Sequence, residues 1–370
     1  MTGTVLRVGD YAPWFEASVL DGAPRYQFHA VGGRHVLLLF LGSTKLPPAA
    51  GALAVVARHR SLFDDQRACF FGISVDRTDA ATGRIRTDLP GIRYVLDDDR
   101  AVSTLFGAVE GTGYRPHWLL LDPHLRIVGR YPVADGEAAL ADLAKRLAAP
   151  PPDVGAPVIV VPDILEPRFC SDLIAGYLAN GGEASGFMRE VDGKTVRVSD
   201  PRVKQRSDWQ IEDEALRGLL ADRLVRRLAP AIERAFQFQP TRIERYLVAC
   251  YDESGGYFRP HRDNTTRGTA HRKFAVTINL NAEEYDGGEL RFPEFGRRSY
   301  RAPTGGAVVF SCSLLHEALP VTRGRRYAFL PFLYDEEGAR LRSQNNAHLG
   351  ENVRPYMAQG TAPPSTLPSN

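Results

Sequence analysis

The chain has 370 residues, 44% hydrophobic and 24% charged, with a formal net charge of +2; this length suggests two domains rather than one core. The near-balanced charge argues against wholesale nucleic-acid binding, and no apolar run approaches the roughly 18–20 residues of a membrane span. The opening "MTGTVLRVGD" lacks the basic and apolar regions of a signal peptide, and Cys69, Cys170, Cys250 and Cys312 form no CxxC pair, so we expect a reducing, cytoplasmic setting with no zinc site or disulfide framework.

Taken in chain order, "HVLLLFLG" (35–42), "CFFGISVD" (69–76), "HWLLLD" (117–122) and "RIVGRYPV" (126–133) read as strands. "PPAAGALAVVARHRSLF" (47–63) and "GEAALADLAKRLAA" (136–149) read as helices. Strands alternating with helices predict an α/β domain. Together with "VGDYAPWFEASVLDG" (8–22), "VLLLFLGST" (36–44) and "RPHWLLLDPHLRIVGRY" (115–131), this half resembles the peroxiredoxin branch of the thioredoxin fold. In that family a thiolate cysteine follows the threonine after the first core strand. Here "STKLPPAAGAL" has Thr44 and no cysteine, and the nearest, Cys69, opens a buried strand. A peroxidase needs an accessible thiolate, so the domain reads as non-peroxidatic. The roles left to it are structural, dimerising (a homodimer) or partner-binding.

"LAAPPPDVGAP" (147–157) is the strongest punctuation in the chain. It places a linker at 149–157 between domains at 1–148 and 158–340, with a tail at 341–370 whose end, "GTAPPSTLPSN", has a disordered composition. "EDEALRGLLADRLVRRLAPAIERAFQF" (212–238) has Leu216, Leu220, Leu224 and Leu228 at four-residue spacing, an amphipathic helix interrupted or restarted at Pro230. The strings "RYLVACY", "FAVTINLN", "GELRF", "GAVVF" and "RYAFLPFLY" follow as short strands between glycine-rich turns, the pattern of an all-β sandwich or barrel.

Within this β region, "YFRPHRDN" (257–264) sets His261 and Asp263 two residues apart, and "SLLHEALPVTRGRRYAF" (313–329) supplies His316, 55 residues after His261. Non-haem Fe(II) oxygenases hold iron with two histidines and one carboxylate, leaving positions open for co-substrate and dioxygen. A His-x-Asp turn delivers two ligands from one strand end, and a histidine on a returning strand completes the set. Arg326, ten residues after His316, begins a strand on which Arg326, Ala328 and Leu330 share a face. Its guanidinium suits the far carboxylate of 2-oxoglutarate. Each of these residues alone is commonplace; their conjunction on strands is specific.

On "CYDESGGYFRPHRDN", "INLN", "GGELRFPE" and "RYAF", residues 157–335 resemble the prolyl 4-hydroxylase class of Fe(II)/2-oxoglutarate dioxygenases. The resemblance implies a double-stranded β-helix (jelly-roll, cupin-like) core with flanking helices. It implies His261, Asp263 and His316 as iron ligands, Arg326 as the 2-oxoglutarate clamp, and Tyr251 beside it. The chain departs at Asn279, often tyrosine in the hypoxia-type enzymes, and in the ten-residue spacing to Arg326, which is that of the collagen-type branch, where lysine is usual. It implies Fe(II), 2-oxoglutarate and O2, with ascorbate as a reductant. The reaction is hydroxylation of a C–H bond of an amino acid, a peptidyl residue such as proline, or a related metabolite, with release of succinate and CO2. An aspartate at 263, not the small residue of related halogenases, favours hydroxylation. Arg206 and Asp208 in "KQRSDWQIED", and Arg262 and Asn264 beside the iron turn, are the candidates for touching substrate. The competing readings are a thiol-redox protein and a non-catalytic interaction or sensor module.

Overall fold

A computed structural model describes residues 6–150 and 154–357. Residues 151–153 of the expected linker and the end of the expected tail, 358–370, lie outside the described residues. The chain divides into two compact units, one running to Gly155 and including Phe292–Arg298, the other comprising Ala156–Arg291 and the residues from Ser299 onward.

In the first unit, seven strands form one sheet in the order Tyr26–Gln27, Glu16–Val19, Ile92–Leu96, Ala68–Ser74, His35–Gly42, His117–Leu121, Ile127–Pro132. His35–Gly42 pairs in parallel with Ala68–Ser74 and antiparallel with His117–Leu121. Its unbroken apolar run is what a strand covered on both faces requires. Period-two alternation sends Val36, Leu38 and Phe40 to a core with Phe28, Phe71 and Phe106. It sends Leu37, Leu39 and Leu41 to the opposite face, against Ala49, Ala52, Leu140 and Leu143 of the helices Pro47–Arg58 and Gly136–Ala148. The expected strands and helices of this unit are all present; Glu16–Val19, Tyr26–Gln27 and Ile92–Leu96 are additional strands of the sheet.

The second unit has a large sheet in the order Ile159–Val161, Ala307–Ser311, Phe274–Asn279, Arg325–Phe329, Leu247–Asp252, Ser207–Gln210, Glu183–Ala184, joined by Arg242–Glu244 paired with Phe332–Tyr334. A smaller sheet runs Lys204–Gln205, Tyr257–His261, His316–Ala318, Leu290–Arg291, Ser299–Tyr300. The chain passes between the two sheets at Arg206 and again between Asp252 and Tyr257. Gly256 makes the second crossing tight, since a Cβ there would lie 2.7 Å from the backbone of Tyr251. Inward residues of both sheets, among them Leu247, Ala249, Phe258, Ala318 and Ala328, share one apolar cluster.

The outer face of the large sheet is covered by the helix Pro167–Asn180 and by the helix expected around 212–238. The latter runs as Glu214–Arg223, widens into a π-turn at Leu224–Leu228 and resumes as Ala229–Phe236. Pro230 is the cause: it has no N–H to donate and its ring crowds the carbonyl four residues back. Leu220, Leu224, Leu228 and Ile232 nevertheless all reach the core. "RYAFLPFLY" is two strands, not one, because Pro331 cannot donate to a ladder. The helix Glu336–Gln344 and a turn to His348 carry regular structure across the boundary expected at residue 340. No helix among the described residues is long and apolar enough to cross a membrane.

Candidate active site

His261 ends the strand Tyr257–His261, and His316 begins the strand His316–Ala318 that pairs with it; the two histidines stand directly opposite in the register. Asp263 follows on the turn. One ligand atom from each of the three lies within 4.8 Å of the others. His316 Nε2 is 3.3 Å from Asp263 Oδ2, and His261 Nε2 is 3.6 Å from Asp263 Oδ1. The Nδ1 of His261 lies 2.7 Å from the Arg259 carbonyl, and that of His316 lies 3.0 Å from the Leu314 carbonyl. A carbonyl only accepts, so each Nδ1 carries a proton, and each Nε2 is turned toward Asp263. Burial, then the neighbouring His261, lowers the His316 imidazole to about 4. Burial works against charge on Asp263, but His316 and His261 hold its carboxyl well below the usual range. Two imidazoles and a carboxylate are the donor set that suits Fe(II).

The ligand turn is tied down on three sides. The Asp263 N–H donates to the Cys312 carbonyl at 3.0 Å. Arg262 donates to the Ser313 carbonyl, and Asn264 Nδ2 to Ser313 Oγ at 2.8 Å, so these two expected substrate residues clamp the turn to the segment that carries His316. Arg272 Nη1 donates to the Asp263 carbonyl at 3.3 Å and is itself held by Glu244 at 2.7 and 3.0 Å. His271 shares that carboxylate through Nε2 at 2.7 Å. Against the penalty of burial, Arg272 and His271 keep Glu244 well below its ordinary value. Sequence reasoning did not find this Glu244–His271–Arg272 group; its only local trace is a charged "IER" at the mouth of a buried strand.

Arg326 pairs in register with Tyr251, its guanidinium 4.9 Å from the ring centroid. It is 2% exposed, and its Nε and Nη1 have no hydrogen-bond partner among the described residues. A buried guanidinium without an acceptor is costly unless something anionic fills the place. Gly288 leaves the space, since a Cβ there would come within 3.0 Å of Arg326 Cδ. Arg206 Nη1 donates to the Tyr251 hydroxyl oxygen at 3.2 Å, which leaves the phenolic proton for another acceptor. The rest of the Arg206 fork closes on Asp208 at 2.6 and 2.7 Å and on Ser185 at 3.1 Å. Burial opposes the charge on Asp208, but Arg206 holds its carboxyl at about 2. The two expected substrate contacts Arg206 and Asp208 are thus a sealed pair that orients Tyr251. Asn279 is buried and gives its Nδ2 to the Ala302 carbonyl at 2.7 Å, so that donor is already used.

In the first unit, Thr44 donates from its hydroxyl and its backbone N–H to the buried Asp79 at 2.5 and 3.0 Å, joined by Ser74 at 2.8 Å and Arg84 at 3.1 Å. Thr44 is therefore held in a satisfied network, and the residues that follow it, Lys45, Leu46 and Pro47, supply no thiol where the resemblance would put one. All four cysteines are buried. Burial pushes the Cys69 thiol up to about 12 and the Cys170 thiol to about 11. Native protein treated with Ellman's reagent at pH 8 is expected to release thionitrobenzoate only as it unfolds, and to consume no peroxide. Rapid labelling of Cys69 together with peroxide turnover would restore the thiol-redox reading.

Residues 246–334 match the family described as the 2OG-Fe(II) oxygenase superfamily. A PKHD-type hydroxylase of Synechococcus sp. (strain JA-2-3B'a(2-13)) is 37% identical over 108 residues, 26% of this chain and 48% of that protein. The chain thus spans about half the length of that relative. A PKHD-type hydroxylase of Paracoccus denitrificans (strain Pd 1222) is 31% identical over 180 residues, 46% of this chain and 75% of that protein. Among solved structures, a Trichoplax adhaerens prolyl hydroxylase in complex with a hypoxia inducible factor peptide fragment is 21% identical, with a TM-score of 0.39 over 50% of this chain and 87% of that one. A Xanthomonas campestris bacterioferritin comigratory protein is 18% identical, with a TM-score of 0.30 over 36% of this chain and 92% of that one. The His-x-Asp turn, the opposed histidine and the buried arginine all fall inside the matched region, and through its C-terminal part the chain belongs to the 2OG-Fe(II) oxygenases of the PKHD hydroxylase type.

Proposed function

We propose that the second unit, as a double-stranded β-helix, hydroxylates a C–H bond of an amino acid, peptide or related metabolite at the expense of 2-oxoglutarate and O2. The observation that carries this reading is the coincidence, within the two sheets of one unit, of a preset two-histidine, one-carboxylate cluster on the smaller sheet and a buried arginine lacking an acceptor on the larger. His261 Nε2, His316 Nε2 and the Asp263 carboxylate would hold the metal. Fe(II), when bound there, supplies open coordination positions and the redox chemistry of oxygen activation. The chain's own part is orientation and exclusion. Arg326 and the Tyr251 hydroxyl, the latter steered by Arg206, would grip the distal carboxylate of 2-oxoglutarate by charge-assisted hydrogen bonds. Cys312, Ser313 and Arg272 keep the ligand turn from shifting.

The test is anaerobic addition of Fe(II) and 2-oxoglutarate to purified apoprotein, watching for the weak visible charge-transfer band of a chelated keto acid. Arg326→Ala is expected to weaken the apparent 2-oxoglutarate affinity on the order of 10²-fold, the loss of two charge-assisted hydrogen bonds. Absence of the band from wild-type protein shown to hold iron would overturn the reading.

A further inference from the structure

Besides Arg326, which the 2-oxoglutarate carboxylate would engage, one further cation near the metal cluster keeps open donors among the described residues. Arg206 is closed on Asp208 and Arg272 on Glu244. Lys204 gives its hydrogen bonds to neutral acceptors, Ser185 Oγ and the Gly186 carbonyl, both at 2.7 Å. Burial, then the charge of Arg206, draws Lys204 well below its ordinary value. Asp263 belongs to the metal cluster. That leaves Arg245.

Arg245 follows Glu244 and holds a left-handed backbone conformation, φ +54°, at the entrance to the strand Leu247–Asp252. A long side chain in that region of φ/ψ is uncommon and directs the residue off the strand's regular path. Its Nε donates to the Leu330 carbonyl at 3.0 Å, and its guanidinium carbon lies 4.0 Å from the ring centroid of Phe332. Arg272 lies 4.1 Å from the same ring. These contacts fix the plane of the guanidinium. They leave the two terminal nitrogens making no hydrogen bond or ion pair with any described residue, and neither nitrogen is sealed from solvent as Arg326 Nε and Nη1 are. Arg245 and Arg272 stand over the same Phe332 ring, and Arg272 donates to the Asp263 carbonyl at 3.3 Å, so Arg245 lies one side chain away from the ligand turn. Burial, then the like charges of Arg206 and Arg272, brings it to about 10, so it remains a cation at neutral pH.

A planar fork with its inner nitrogen already bonded and its two outer nitrogens open matches one chemical group best, a carboxylate bound side-on through two parallel hydrogen bonds. The geometry points to Arg245 as the anchor for a free carboxylate on the substrate, which makes the substrate an amino acid or a chain ending in one and not an internal residue of a polypeptide. This inference rests on the oxygenase reading of the site. It also gives Phe332 a role, as the platform that holds the anchor flat.

The experiment uses full-length protein loaded anaerobically with Fe(II) and 2-oxoglutarate. The probes are the proteinogenic L-amino acids, free and N-acetylated, each as the acid and as the primary carboxamide. Binding is read twice, by perturbation of the visible band and by calorimetric titration. At least one acid is expected to bind, with its carboxamide weaker by about 100-fold. Arg245→Gln should abolish the preference for acid over amide, and Arg245→Lys should keep part of it. Equal binding of acid and amide, an undiminished preference in Arg245→Gln, or no binding by any acid in the panel would each overturn the proposal. Failure of the underlying oxygenase reading is separable: the band would then be missing before any probe is added.

Discussion

Protein carrying His316→Ala is expected to release no succinate above background and to bind Fe(II) more weakly by well over 100-fold, beyond what loss of a supporting residue alone causes. The size of the effect follows from the register. His316 stands opposite His261 on the paired strand and faces the Asp263 carboxylate, so on the proposed reading its removal deletes one of three ligands. Its Nδ1 meets the Leu314 carbonyl and its ring packs against Phe310 and His261, so the fold is checked beside the metal. Equilibrium dialysis with Fe(II), a 2-oxoglutarate turnover assay and a circular-dichroism melt on the same preparation separate the cases. Retained iron binding with a native melt would remove the triad from consideration as the metal centre.

Replacing Glu244 by glutamine is expected to cost about 3–5 kcal/mol, the usual consequence of stripping one partner from a buried ion pair. For a unit of this size that is a fall in melting temperature of roughly 10 °C or more. Glu244 is the acceptor for Arg272 and His271, with Arg342 at 3.7 Å, and the variant leaves the Arg272 guanidinium buried without its carboxylate. The sign of the pH dependence follows. The folded-state carboxyl lies well below its ordinary value, so its contribution is fully present above about pH 4.3 and is lost as the pH falls toward the folded value. The difference in melting temperature between wild type and Glu244→Gln should therefore be largest at neutral pH and shrink below about pH 4. A difference that stays constant into acid would mean that Glu244 is not the ionised centre of the cluster.

The contrast between these two groups shows what a sequence can disclose. His261 and Asp263 are two residues apart on one turn, and Arg326 lies one strand's reach past His316, so local strings and strand alternation sufficed to bring them forward. Glu244 and Arg272 are 28 residues apart, and they meet only because Arg242–Glu244 pairs with Phe332–Tyr334, which also borders Phe274–Asn279. That pairing is a property of sheet order, and no local pattern encodes it. Arg206 and Asp208 stand out in the sequence only as candidates for touching substrate, because the string "KQRSDWQ" carries no apolar alternation that would mark them as buried. Their burial comes from the crossing between sheets at Arg206, which turns both side chains inward beside Tyr251. The hairpin Phe187–Val191 with Lys194–Val198 escaped for a similar reason, since its strands are half polar and partly exposed. The long apolar strands of the first unit were legible because burial on both faces writes itself into composition.

The hydrogen bonds from His261 and His316 to carbonyls two residues back along their own chain have an effect on how the protein acquires its metal. The choice of coordinating nitrogen is made during folding, before any ion arrives. An ion that enters therefore meets two ring edges already aimed beside one carboxylate, and few side chains have to turn to receive it.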